Sequence, residues 1–584
     1  MMAGQGSWRF LFLSMAFSGL AVAIASGASP AIPSGPPGHK GRALRLHQDG
    51  PADLIIKVKR IWTGDKDNPW AEALAARGGV IAAVGSWADL KRFQGRLTRM
   101  IERPAAFAMP GLIDAHGHME SLGATQEELD LRGVASIEEI ARRVKARIDL
   151  NPGDSWITGR NWDQSLWPGG AFPTAAVLDA VAPRRPVWLE RVDGHAGWAN
   201  AEAMRRARAG KQSKAPKDGQ IIRDRDGQPT GVFIDGAMSL IGRAVPPSTK
   251  DDLKRRLLAA QKLVLQNGLT SVHDAGISKL TADAYRELDR DGQLAVRVYG
   301  MASLPSGGEV AFVSRPPLQS APNARFELRA VKLFVDGAMG SRGALLFEPY
   351  HDDPGNSGLL LIDPKVLEAT TTAALAHGWQ VCTHAIGDKG NSLVLDAYAA
   401  ARRAVPESRD PRLRIEHAQV VRRDDVRRFA ELRVIASMQT SHASDDMRWA
   451  DARLGPARVD GAYAWRWFAD AGVTLANGSD FPVEVVNPFW GIYAGVTRQD
   501  AQGKPAGGWH PEQVLSLEET LRSFTAGAAF AAFAENRLGI LKPGFRADLT
   551  ILDRDLFQAK PKDLLATQVD MTIIDGAVVH ERAK

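Results

Sequence analysis

Short apolar runs that end on polar residues recur through the middle of the chain. The clearest cover 111–118, 270–274, 296–301, 330–335, 380–384, 413–417, 434–438 and 473–477. Runs of this length and composition suit parallel strands buried on both faces. Stretches with helical periodicity separate most of them, at 250–267, 364–377, 389–405 and 422–432. Eight strands alternating with helices predict an α/β chain folded as a (β/α)₈ TIM barrel over 109–537. One interval breaks the count. About 122–250 is too long for a single strand-helix unit and carries a strand pattern of its own at 186–192, so an inserted subdomain is expected after the first barrel strand, over the barrel mouth.

The two ends read differently. Gly-punctuated strand patterns occupy 53–59, 73–76 and 79–85, and recur at 547–553, 569–576 and 578–580. They predict one small β-sandwich domain built from both termini, 51–108 with 538–584. Before it, Arg9 precedes an apolar run at 10–25 and the small residues Ser26-Gly27-Ala28. That order predicts a secretory signal peptide over 1–28 and a periplasmic or secreted protein, with an uncleaved N-terminal anchor as the alternative. Residues 29–50, rich in Pro, Gly, Ser and basic side chains, read as a flexible lead-in.

Composition changes this picture little. The 584 residues are 45% hydrophobic and 24% charged, with a formal charge of +6. The cluster Arg422, Arg423, Arg427 and Arg428 reads as a solvated helix face, and no aromatic-interleaved basic module suggests nucleic acid. The single cysteine, Cys382, excludes an intrachain disulfide and reads as a packing residue.

Candidate chemistry sits at the strand ends. His116 and His118 close Pro110-Gly-Leu-Ile-Asp-Ala-His-Gly-His118. Alternate strand residues share a side, so both imidazoles aim at one point on the C-terminal rim, and neutral imidazole is a good ligand for zinc-like metals. His384 and His417 end two successive strands and point to the same rim. Lys332 lies in a buried strand, where a lone lysine is costly unless paired or chemically changed. It is either carboxylated or an ordinary cation paired with Asp336. Asp480 follows the last strand, placed to ligate a metal, to accept a proton from water, or simply to cap a helix. His273 reads as packing or support for a ligand.

Taken together, these residues resemble the amidohydrolase superfamily: His-x-His on strand one, Lys on four, His on five and six, Asp on eight. The similarity is greatest to amidohydrolase family 3, the YtcJ-like hydrolases that include N-substituted formamide deformylase. It is carried by the His116 motif, Asp193-Gly-His-Ala-Gly-Trp-Ala-Asn200, Lys332-Leu-Phe-Val-Asp-Gly337, His384-Ala-Ile-Gly-Asp388, Arg414-Ile-Glu-His-Ala-Gln419 and Gly478-Ser-Asp-Phe-Pro482. The resemblance implies two divalent metals, usually zinc. His116, His118 and Asp480 would hold one, His384 and His417 the other, and a carboxylated Lys332 would bridge them. It implies hydrolysis of a small-molecule amide-type substrate, with Asp480 taking the proton of metal-activated water and returning it to the leaving amine. His195, in the Asp-Gly-His stretch, is expected to face the substrate, with a structural loop role as the alternative. Trp162 and Trp198 are candidates for an aromatic pocket wall or for core packing. Ester, lactone or D-aminoacyl cleavage on the same fold, or ligand binding without catalysis, remain alternatives, and a homodimer is compatible with the sequence.

Overall fold

The computed structural model describes residues 50–304, 310–321 and 323–583. The expected signal peptide and nearly all of the lead-in lie outside the described residues. Among the described residues, no helix is long and apolar enough to cross a membrane.

Eight strands form one parallel sheet in chain order: Leu112–Gly117, Leu269–Ile277, Arg297–Ser303, Phe326–Phe334, Gln380–Ala385, Arg414–His417, Ile435–Met438 and Leu475–Asn477. Every one overlaps a run expected from the sequence. Strand alternation sorts their side chains. Val331, Leu333 and Val335 join the apolar layer shared with the outer helices. Ala330 and Cys382 point the other way, into an interior cluster with Tyr299 and Met301. Cys382 is buried there, as a packing residue.

The eighth strand forms no continuous ladder with the first. The segment just beyond it closes the gap instead. Asp480 N–H donates to the His116 carbonyl at 2.7 Å, and His118 N–H donates to the Phe481 carbonyl at 2.8 Å. Asp114, wholly buried, accepts from Ser479 N–H at 3.1 Å and the Ser479 hydroxyl at 2.7 Å. Gly478 makes this approach feasible: a Cβ there would lie 2.5 Å from His116 N and 2.6 Å from Asp114 Oδ1.

The insertion folds as its own six-stranded sheet between Leu129–Asp130 and Pro229–Asp235, with Val187–Arg191 near its centre. It has a separate apolar core around Ile140, Leu178, Leu189 and Val232. The chain ends come together as expected, their strands joined into one seven-stranded hydrogen-bonded sheet. Both of its faces are apolar. Leu54, Ile56 and Val58 enter one cluster, while Ile55 enters another beneath Leu90 and Phe93. A long strand not singled out in the sequence, Arg99–Pro110, runs parallel to Leu54–Trp62 and antiparallel to Leu549–Leu552. Its register shifts between Arg103 and Phe107, which places Pro104 in a bulge where no ladder hydrogen bond is required.

Gly478→Ala is expected to force the closing segment away from the first strand. A loss of about 1–3 kcal/mol in stability, the usual range for overpacking, should appear as a lowered unfolding midpoint, with bound metal falling in parallel.

Candidate metal centre

The predicted residues meet at the C-terminal rim of the barrel. Ring centroids lie 5.4 Å apart for His116 and His118, 4.8 Å for His116 and His417, and 4.6 Å for His384 and His417. Two groups have ligand atoms all within 4.8 Å of one another: His116, His118 and Asp480, and His417, His442 and Asp480. Asp480 belongs to both. The second group contains His442, which the sequence pattern did not single out; the ring of His384, expected beside His417, lies 4.6 Å from it, against 6.1 Å for His442. His384 flanks the cluster, with its Nε2 3.4 Å from the Gly337 carbonyl.

Strand alternation alone does not deliver His417. Its neighbours Arg414 and Glu416 occupy the inward positions, so the next residue would face the helices. Positive φ at His417 (75°) and Ala418 (45°) turns the imidazole into the site. Asp480 also has positive φ, 58°. Left-handed backbone at non-glycine residues costs on the order of 1–3 kcal/mol each and persists where the surrounding structure enforces it.

Each inner imidazole is oriented from behind. His116 Nδ1 lies 2.5 Å from Glu416, and His417 Nδ1 lies 2.8 Å from the Gln439 side-chain oxygen. That leaves His116 Nε2 turned to the cluster, 3.6 Å from Asp480 Oδ1, whereas His417 lies nearest Asp480 through Nδ1, at 3.8 Å. Glu416 is itself held inside the barrel by Arg414, at 2.8 and 3.0 Å. Burial alone would raise the Glu416 carboxyl, but the Arg414 charge and the His116 bond hold it well below the usual range. Arg414 also donates to the Ala115 carbonyl at 2.7 Å and the Ser437 hydroxyl at 2.8 Å, and lies 3.0 Å from His273 Nδ1. His273 is thus a support, as the sequence suggested.

These side chains fit a divalent metal. Burial pushes His116 down to about 4 and lowers His384, His417 and His442, so the rings are neutral, the form that ligates. Asp480 Oδ1 lies 2.9 Å from His118 Nε2 and 3.6 Å from His116 Nε2, yet makes no aligned hydrogen bond. His442 Nε2 is likewise buried without a hydrogen-bond partner. Converging lone pairs left unsatisfied in a buried site are costly unless a cation joins them.

Lys332 is 1% exposed and 3.4 Å from His116 Nε2. The alternative pairing with Asp336 is not formed. Asp336 instead accepts backbone N–H groups from Leu345, Ile386 and Gly387 at 2.8–3.0 Å. Burial lowers the Lys332 ammonium from its usual value.

His195 reaches the site from the insertion, its ring 5.2 Å from that of His384. Its Nδ1 lies 2.6 Å from Asp235. Burial alone would lower His195, but the Asp235 bond and charge outweigh it and lift the imidazole to about 8. Trp162 and Trp198 do not form a pocket wall. Both are fully buried in the insertion's core, and their indole N–H groups donate to the Leu189 and Thr174 carbonyls. Large apolar rings with a satisfied N–H are better accommodated there than at a wet cavity. The residues missed from sequence are His442, Glu416 and Asp114. His442 sits on the short helix Thr440–Asp446 after the seventh strand, so no strand-end pattern marks it. A cleft opens over the cluster, walled by residues of both the barrel and the insertion.

The profile of the Amidohydrolase family matches residues 106–580. The chain is 36% identical to Protein LONG AFTER FAR-RED 3 of Arabidopsis thaliana, covering 91% of this chain and 92% of that protein. It is 30% identical to the YtcJ protein of Bacillus subtilis, covering 90% and 100%. It is 27% identical to N-substituted formamide deformylase of Arthrobacter pascens, covering 91% and 98%. Among solved structures it is similar to a metal-dependent hydrolase of Pyrococcus horikoshii, with a TM-score of 0.69 and 28% identity over 87% of this chain and 99% of that one.

Glu416→Gln keeps the shape behind His116 but removes the charge that orients it. Metal affinity is expected to fall about 10–100-fold, measured by competition with a chromogenic chelator. Unchanged affinity would show that His116 needs no anionic support.

Proposed function

Because the chain belongs to the amidohydrolase family, we propose that it hydrolyses a carbon–nitrogen, amide-type bond of a small molecule at the cluster built on Asp480. The observation that carries this reading is the sharing of Asp480 by two groups of converging histidines. The match to N-substituted formamide deformylase over nearly its whole length favours carbon–nitrogen cleavage. The site would hold two divalent ions, zinc by the chemistry of its histidine-rich donors. His116, His118 and Asp480 would hold one, and His417 with His442 or His384 the other. When bound, such an ion supplies Lewis acidity that acidifies water and polarises a carbonyl.

The protein's own groups do the rest. Asp480 accepts the proton of the attacking water and returns it to the departing nitrogen. His195, protonated and fixed by Asp235, directs its remaining ring N–H at the substrate carbonyl oxygen and stabilises the charge that grows there. The depressed Lys332 ammonium favours the neutral amine that reaction with carbon dioxide requires, so Lys332 would carry a carbamate as a further oxygen donor to the ions. Export of the protein is proposed from the residue order at 1–28 alone.

Asp480→Asn is expected to lower kcat by about 10²–10⁴-fold on formamide or acyl-amine probes, with folding followed by circular dichroism. Activity should disappear after dialysis against a chelator and return with zinc. Hydrolysis that survives complete metal removal would overturn the reading. Exposure to ¹³C-bicarbonate should give a carbamate carbon signal that Lys332→Ala lacks.

A further inference from the structure

The wall of the cleft above the cluster carries an unbalanced set of charges. Four carboxyls, Asp163, Asp193, Asp446 and Glu484, face two guanidiniums, Arg191 and Arg448. The arginines are already committed. Arg191 donates to Asp163 at 2.9 Å, Asp193 at 2.5 Å and Gln164 at 2.7 Å. Arg448 reaches Asp163 at 3.3 Å and the Asp445 carbonyl at 2.6 Å. These contacts neutralise Asp163 and Asp193 and leave Asp446 and Glu484 over. Asp446 accepts one bond, from the Tyr463 hydroxyl. Glu484 is 6% exposed, lines the cleft, and makes no hydrogen bond or ion pair among the described residues.

A carboxyl buried this deeply without a partner is expensive. The charged groups around Glu484 do not relieve it: Asp445 and Asp446 oppose its ionisation, and the opposing arginines are Arg132 and Arg448. Arg132 spends its donors on the carbonyls of Pro482 and Val483. Glu484 stands outside both groups of converging metal-ligand atoms, so its oxygens are free for a different part of a ligand. We propose that Glu484, with Asp446, anchors a cationic group of the substrate, an ammonium or guanidinium separate from the bond that is cleaved. This rests on the cleft being the substrate site of the proposed hydrolase. Burial raises both carboxyls, Asp446 to about 8; an incoming cation would take the place of the proton that burial favours. The predicted substrate class is therefore an amide that also bears a basic nitrogen.

The test is calorimetric binding of N-acetyl-α,ω-diaminoalkanes, four to eight methylenes long, against the matched N-acetylalkylamines, to the metal-replete full chain. At least one cationic probe should bind about tenfold or more tightly than its neutral partner. In Glu484→Gln the preference should shrink to less than about twofold, while the neutral probe is unaffected. Equal affinities in the wild type, no measurable binding of any cationic probe, or a preference retained in E484Q would each overturn the proposal. Asp446→Asn, judged by the same criteria, serves if E484Q fails to fold. Hydrolysis of the probes is followed in parallel. Its absence counts against amide cleavage, and the binding preference still decides the role of Glu484.

Discussion

Closure of the barrel between its eighth and first strands depends on a handful of hydrogen bonds, and the same bonds build the metal centre. The first strand is held to the 478–481 segment by its own carbonyl at His116 and by the buried Asp114 carboxyl. The residue donating to His116 is Asp480 itself. Folding energy spent on closing the sheet therefore also places the shared carboxylate against two imidazoles. At Asp114 burial prevails over the opposing Ser479 and His116 hydrogen bonds and leaves the carboxyl raised to about 7. A parallel barrel with a gap at this seam would expose strand edges and scatter the ligands together.

Below the seam the barrel interior divides into a dry end and a charged end. Ala275, Tyr299, Met301, Ala330 and Cys382 fill the former. Arg414 and Glu416 form a fully buried ion pair just above, and it is saturated by His116, Ala115 and Ser437. A buried pair is a poor source of net stability, because desolvating both ions opposes their attraction. Its value here is directional. It fixes which nitrogen of His116 faces the cluster, as a carboxylate behind a ligand imidazole does. The cost is borne where it sets the geometry of a ligand.

Much of this was legible in the sequence, and the reasons differ by element. All eight barrel strands were readable because parallel strands must be apolar on both faces, so each stands out as a short run. The insertion was readable from its length and from the strand pattern it carries at 186–192. Arg99–Pro110 was not, since charges and Pro104 mask a strand whose pairing comes from partners at both ends of the chain. His116, His118, Lys332, His384, His417 and Asp480 were found by their places at strand ends. His442 and Glu484 were not, because each lies a few residues past such an end, in segments whose direction is set by tertiary contacts. For Trp162 and Trp198 the sequence left a pocket wall and core packing both open, and the insertion uses them for its own core.

That core explains how a separate layer contributes to chemistry at the barrel rim. The insertion is packed independently, so it can hold His195 rigidly over the cluster from the far side. Asp235, the residue that grips His195, has φ 47° and one carboxyl oxygen buried without a partner. Strain and an unsatisfied acceptor at one position are tolerated only where the surroundings over-determine it. Here the surroundings are the strand Pro229–Asp235 on one side and the backbone at Gly337 and Gly343 on the other, where a Cβ would come within 2.8 Å of Asp235 Oδ2. The glycines of the barrel loop thus make room for a carboxylate of the insertion. The two layers are fitted to each other at the point where the imidazole meets the substrate cleft, and this fit, rather than either layer alone, defines the far wall of the site.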